Sequence, residues 1–255
     1  MTNKSLRNSS AVKLFKILES VAEHEGGLGV TELANKLDIN KSTVYRFVAT
    51  LEEEGYLKKN QSTQQYQFGL GMFELASKVV NKKNWISNIN PYLVNLKDSV
   101  QETVHLGVED SGEVVYIDKV DCDRSVRMYS KVGRRSPLYC TGIGKAILAH
   151  LPEEQSELIL PQIEFHSYTD QTITNIDDLR MELKKIRAQG YSFDLEEHEL
   201  GVKCTAAPIF NFKGSVVGAI SIAGPASRID KLSLFDLAAE IKETAQLISR
   251  RLGSL

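Results

Sequence analysis

The chain has 255 residues, 42% hydrophobic and 25% charged, which suits two domains, since a single core stops growing at roughly 250 residues, and excludes global disorder. Its net charge of −2 excludes a protein that coats nucleic acid nonspecifically, but not one that reads a particular site. Three cysteines, Cys122, Cys140 and Cys204, form no CxxC pair, and the apolar runs fall far short of the ~20 residues of a membrane helix, so a disulfide framework, structural zinc and a membrane span are not expected.

Val12, Phe15, Ile17, Leu18, Val21 and Ala22 recur at helical spacing over 11–23, behind Ser9 and Ser10 as N-caps. Gly26, Gly27 and Gly29 break that helix. Thr31 is expected to cap a short second helix with Leu33, Ala34 and Leu37 inward, and Asp38-Ile39-Asn40 reads as a tight turn. A third helix then runs from an Asn40 or Ser42 cap to about Glu54, burying Val44, Phe47, Val48 and Leu51, and Gly55 stops it in a left-handed conformation. Residues 56–59 and 66–68 read as strands around a polar turn. A helix-turn-helix followed by such a hairpin is a winged helix. Residues 69–85 read as a connecting helix, with Met72, Leu75, Ala76 and Val79 as a stripe that calls for a partner helix across a dimer.

Further on, 103–109 and 113–120 read as strands about Asp110-Ser111-Gly112, and 125–131 as a third. Residues 142–150 and 176–189 read as helices and 191–195 as a short strand. Residues 203–211 and 215–223 form a hairpin about Phe212-Lys213-Gly214, and an amphipathic helix over 231–251 closes the chain. Strands meeting through short turns, with helices at intervals, make an α+β fold with an antiparallel sheet.

In a helix-turn-helix the second helix enters the major groove with its N-terminal residues on base edges. Here those are Lys41, Ser42, Thr43, Tyr45 and Arg46, whose hydroxyls and helix terminus suit phosphate and whose arginine can fork onto guanine. Lys58 and Lys59 on the wing face flanking phosphates. The plainer alternative is a solvated helical face. Residues 1–68 carry nine Lys/Arg against eight Asp/Glu, and the remainder 22 against 25, so local placement of cations matters more than the total.

Gly142 and Gly144 open a helix behind Thr141. Two readings stand: open backbone N–H groups and a hydroxyl donor for a ligand carboxylate, or glycines that let helix and sheet pack closely. His105 in an apolar strand reads as a satisfied core histidine. His198 among Glu196, Glu197 and Glu199 invites a metal or acid/base reading, but the spacing matches no HExxH helix and a polar surface segment is expected. Cys204, in an apolar strand, reads as a small hydrophobe.

These segments resemble the IclR family of bacterial transcriptional regulators over essentially the whole chain. The resemblance is carried by Gly29 to Ala34 and Lys41 to Phe47 in the head. In the remainder it is carried by Thr141 to Ala146, by Gly190 to Asp194 with Glu196 to Gly201, and by Ala219 to Pro225. Residues 102–107, 115–120 and 127–139 add a closer likeness to the family's regulators of pectin-derived sugar-acid catabolism, whose inducer is 2-keto-3-deoxygluconate. The resemblance implies a DNA-binding domain over 1–69, a linker helix over 70–86 and a GAF-like effector-binding domain over 87–255. It also implies dimers that pair into tetramers, and a repressor released from double-stranded operator DNA by a small carboxylate or keto-sugar acid. Glyoxylate, pyruvate or an aromatic acid is the alternative effector.

Implied pocket positions are Met128, Gly142, Ile143, Asp194, Val202, Cys204, Ser221 and Ala223, joined by Thr141. Ala223 stands where other members have serine, removing one hydroxyl. Arg127, Arg134 and Arg135 could offset a carboxylate charge, but alternation points Arg127 opposite Met128, and Arg134 and Arg135 are expected in a solvated loop. No cofactor or metal is implied. An enzyme built on Asp194, Glu196, Glu197 and His198 is the rival class, but no nucleophile elbow or Walker loop accompanies them. A redox regulator using Cys140 or Cys204 is a second. Residues 1–10 lack an apolar export core, and a reducing cytoplasm is the expected compartment.

Overall fold

The computed structural model describes residues 8–82, 85–124, 128 and 130–254. The chain divides into two units, Met1–Asn84 and Trp85–Leu255.

In the first unit, α1 (Ser9–Ala22) is capped by Asn8, whose side chain accepts from the amides of Ser10 and Ala11. The start of α2 (Val30–Leu37) departs from expectation. Gly29 is the N-cap, Thr31 lies inside the helix, and the Glu32 carboxylate reaches back to the Gly29 N–H at 2.7 Å. Asp38, in the left-handed region at φ 52°, turns the chain into α3 (Lys41–Glu53). Ile17, Val21, Leu33, Val44, Val48 and Leu51 meet in one core with Leu57 and Tyr66 of the hairpin β1 (Leu57–Lys59) and β2 (Tyr66–Phe68). Gly55, at φ +76°, ends α3. A Cβ at Gly69 or Gly71 would lie 2.3 or 2.7 Å from the Gly55 carbonyl oxygen, so the wing returns to α3 only through glycine. The helix α4 (Leu70–Lys82) follows. Its Leu70, Phe73, Leu75 and Ala76 are exposed and Met72 is half-buried, while the Val79 side chain lies outside the described ones.

The second unit opens with α5 (Trp85–Val100), whose interior Pro91 hides its helical signal in the sequence. Then come β3 (Thr103–Asp110), β4 (Glu113–Val120), β5 (Arg135–Pro137), α6 (Gly142–Leu148), α7 (Glu153–Ile159) and α8 (Ile176–Gln189). They are followed by β6 (Ser192–Leu195), β7 (Val202–Phe210), β8 (Val216–Pro225), α9 (Ala226–Ile229) and α10 (Leu234–Arg251). The strands form one antiparallel sheet in the order β5-β4-β3-β8-β7-β6. The strand read over 125–131 falls largely on residues outside the described set, as does Arg127; Met128 and Ser130 are described and belong to no strand.

Helices cover both faces, which is why β7 and β8 are apolar almost without alternation. Leu93 and Leu96 of α5 and Ile241 and Ile248 of α10 pack with Val104, Leu106, Ile220 and Ile222 on one face. On the other, Ile143 and Ile147 of α6 and Leu183 and Ile186 of α8 pack with Ala206 and Ala219. Strand pairing sets two rows across the α6 face: Asp194, Cys204, Ala223 and Thr103, then Ser192, Ala206, Ser221 and His105. No helix among the described residues is long and apolar enough to cross a membrane.

Candidate DNA interface and effector cavity

On α3 the inward stripe of Val44, Val48 and Leu51 leaves Lys41, Ser42, Tyr45 and Arg46 exposed, with Tyr45 at 58%, and Thr43 half-buried. The Asn40 side chain makes no capping hydrogen bond; its carbonyl accepts the Thr43 N–H at 2.9 Å, which leaves the Lys41 and Ser42 amides and the Ser42 and Thr43 hydroxyls to face a phosphate. Lys58 and Lys59 stand in different surroundings. Strand alternation sends them to opposite faces: Lys58 is exposed, while Lys59 lies half-buried with its Nζ 5.7 Å above the Tyr66 ring.

In the second unit, Met128, Thr141, Gly142, Ile143, Asp194, Val202, Cys204, Ser221 and Ala223 all line one cavity of about 70 Å³. Asp194, Cys204 and Ala223 of one sheet row and Ser221 of the other line it, together with the start of α6. His105, Tyr116, Ser130, Ser136, Arg134, His198 and Glu199 line it too; sequence reasoning weighs Arg134 as a partner for a carboxylate but favours a solvated loop, and names none of the others as an effector contact. For His105 the missing signal was non-local: β3 pairs with β8, placing His105 directly opposite Ser221, and nothing near residue 105 announces that neighbour.

Several residues take roles other than those expected. Thr141 caps α6: its Oγ1 accepts the Gly144 N–H at 3.2 Å and donates to the Pro137 carbonyl at 2.7 Å, so its proton is committed to the protein rather than to a ligand. A Cβ on Gly142 would meet Cys204 Sγ at 2.5 Å, and one on Gly144 the Leu138 backbone at 2.2 Å. Both glycines thus permit close packing, and Gly142 also lines the cavity. Arg135 lies on β5, ion-paired to Asp110 and Glu113, instead of in a solvated loop. Arg134 lines the cavity, and its carbonyl accepts from Tyr116 N–H at 3.1 Å.

The acidic segment 196–199 is only partly a surface run: Glu199 is exposed, and Glu196 and His198 are half-buried. Glu197 is buried and ion-paired to Lys145 of α6, whose side chain is only 1% exposed, and Glu197 Oε2 has no partner among the described residues. Thr169 and Thr172 strap the segment down, donating to the carbonyls of Glu196 and Glu197 at 2.6 Å each. The His198 ring packs edge-on to Tyr168, and burial lowers its pKa. Asp194 accepts the Glu197 N–H at 2.8 Å, and burial pushes its carboxyl up to about 7.

His105 is buried; desolvation, then the nearby Lys119, lower it to about 4, so its ring is neutral. Cys140 is pushed up to about 12 and Cys204 also upward, both chiefly by burial. Such thiols stay protonated and poorly nucleophilic, which disfavours redox sensing. Among the described residues no three metal-ligating side chains gather.

The comparisons with known proteins agree across both units. The IclR helix-turn-helix domain model matches residues 10–61, and the bacterial transcriptional regulator IclR C-terminal model matches residues 77–250. The chain is 37% identical to the HTH-type transcriptional regulator KdgR of Escherichia coli K12 over 96% of its own length and 93% of the relative's. It is 34% identical to the transcriptional repressor IclR of the same organism, covering 96% and 90%. The crystal structure of Thermotoga maritima IclR superposes with a TM-score of 0.83 at 36% identity, covering 96% of this chain and 98% of that one. With head and sensor domain each matched, and relatives aligned almost end to end, the chain belongs to the IclR family: DNA-binding transcriptional regulators with a small-molecule effector domain, and not enzymes.

Proposed function

We propose that the protein is a cytoplasmic repressor of sugar-acid catabolism that leaves its operator on binding a keto-sugar acid such as 2-keto-3-deoxygluconate. One observation carries the effector side: several polar side chains, among them Asp194, Ser221, Ser130 and His105, converge on one cavity on the α6 face beside apolar ones such as Met128, Ile143 and Val202, as a small ligand carrying hydroxyls and a carboxylate requires. The 37% identity to KdgR over nearly the whole chain supports the same class. On the DNA side, Lys41 to Arg46 at the start of α3 read the major groove and Lys58 takes a flanking phosphate. Residues 1–69, 70–86 and 87–255 act as reader, linker and sensor. The exposed Leu70, Phe73 and Leu75 of α4 supply a face for pairing with a second copy, so that two recognition helices meet half-sites about one helical turn, or a multiple, apart.

A second reading, a shorter 2-keto acid such as pyruvate or glyoxylate, is favoured by the cavity's volume of about 70 Å³. A thermal-shift screen separates the two, because a ligand that binds only the folded state raises the melting temperature. The proposal expects the largest rise with 2-keto-3-deoxygluconate. A larger rise with pyruvate favours the second reading, and no rise with either overturns both.

A further inference from the structure

The His105 ring is engaged at both nitrogens: Nε2 lies 2.6 Å from Ser130 Oγ and Nδ1 3.4 Å from Ser221 Oγ. All three residues line the cavity. Each serine is held from behind. Ser221 stands opposite His105 in the β3–β8 register. The backbone at Ser130 is pinned by Lys119, whose Nζ donates to the carbonyls of Ser130 at 2.8 Å and Met128 at 3.0 Å.

A neutral imidazole has one N–H and one lone pair. In either tautomer, one serine gives its proton to the ring and keeps only acceptor capacity for the cavity. The other accepts from the ring and keeps its own proton to donate. The two hydroxyls therefore face a ligand as one donor and one acceptor.

We propose that His105 is a positioning residue that sets effector specificity, ordering Ser130 and Ser221 into a donor–acceptor pair selective for acids bearing alcohol hydroxyls. The proposal rests on the reading of this cavity as the effector site. An alcohol both donates and accepts, so it satisfies both serines; a carboxylate only accepts and satisfies one. A methylene chain satisfies neither and leaves two polar groups unpaired against it.

The test compares 2-keto-3-deoxygluconate with 2-oxohexanoate, a 2-keto acid of the same six-carbon length without the hydroxyls. Each is titrated calorimetrically into the full chain and into the His105→Leu, His105→Gln and Ser130→Ala variants. The wild type is expected to prefer the hydroxylated acid by about tenfold or more, one net hydrogen bond or better. His105→Leu and Ser130→Ala lower that ratio mainly by weakening the hydroxylated acid, while 2-oxohexanoate binds as before. His105→Gln, whose amide keeps both a donor and an acceptor, recovers part of the ratio. Ser130 is half-buried and off the sheet, so Ser130→Ala carries the test if His105→Leu fails to fold. A wild-type ratio near one, or a ratio unchanged in the variants, overturns the proposal. Equal weakening of both acids reduces His105 to a packing residue and overturns it as well. Binding of neither acid by the wild type overturns the effector reading, and this proposal with it.

Discussion

In the N-terminal unit Lys41, Arg46 and Lys58 stand exposed over a core that buries no charged side chain among the described residues, whereas in the C-terminal unit Lys145, Glu197, Asp194 and His105 lie inside the fold. The difference has a physical consequence. Exposed charges are already solvated, so replacing one changes what the surface binds and leaves folding nearly alone. Buried charges were desolvated during folding, so replacing one alters stability and ligand chemistry together. The reading head can be edited residue by residue; the sensor cannot.

The largest effect expected from that contrast is at Lys145. Lys145→Met leaves Glu197 buried without its cation and should destabilise the fold by about 3–5 kcal/mol, read from denaturant unfolding. Adding Glu197→Leu should restore most of the loss. A single variant as stable as wild type would break the contrast. Next comes Arg46→Ala, expected to cost about 1–3 kcal/mol on operator DNA while changing stability by less than about 0.5 kcal/mol. Equal loss on operator and random duplex would make Arg46 a phosphate contact rather than a base reader.

Asp194 sharpens the comparison through pH. Burial raises its pKa from 3.8 to about 7, beside the Glu197–Lys145 ion pair and the protonated Cys204 thiol. A group whose folded pKa lies above its unfolded one contributes stability in full below the unfolded value, and loses it as pH rises through the folded value. Asp194→Asn cannot ionise and keeps an acceptor for the Glu197 N–H. Its melting temperature should match wild type near pH 4 and exceed it by a few degrees at pH 8. A constant difference across that range would show that Asp194 does not titrate within it. The smallest effect is at Lys58. Lys58→Ala should weaken all duplexes alike and reduce the salt slope of binding by about 0.9, the contribution of one phosphate contact. Loss of affinity confined to the operator would contradict that role.

The two units also differed in how far residue patterns announced them. The head is built from local signals: the α3 stripe of Val44, Val48 and Leu51, the Gly55 stop and the polar turn after Lys59 each lie within a few residues of what they shape. Even there, the Gly29–Glu32 cap was missed in favour of Thr31, because a glycine cap carries no side chain to notice. In the sensor, β3, β4, β7, β8 and α8 were legible from alternation and periodicity. The helix α5 was not, since Pro91 interrupts it, and the three-residue β5 is too short to show a pattern. The cavity positions carried by the family resemblance do lie together. The Lys145–Glu197 pair spans 52 residues and the His105–Ser221 contact 116, and no window along the chain contains either.

The central claim, that a hydroxylated keto acid held in the sensor controls what the head binds, requires the ligand to prefer the DNA-free state. Its most direct test titrates 2-keto-3-deoxygluconate into the preformed operator complex of the full chain, followed by fluorescence anisotropy, with Ser221→Ala alongside. The wild type should let go of the operator as the ligand rises. Ser221→Ala, with unchanged operator affinity in the absence of ligand, should need roughly 2–12 times more, the equivalent of one lost hydrogen bond of about 0.5–1.5 kcal/mol. A complex that stays intact at millimolar ligand, or a Ser221→Ala variant released along the wild-type curve, would contradict the claim.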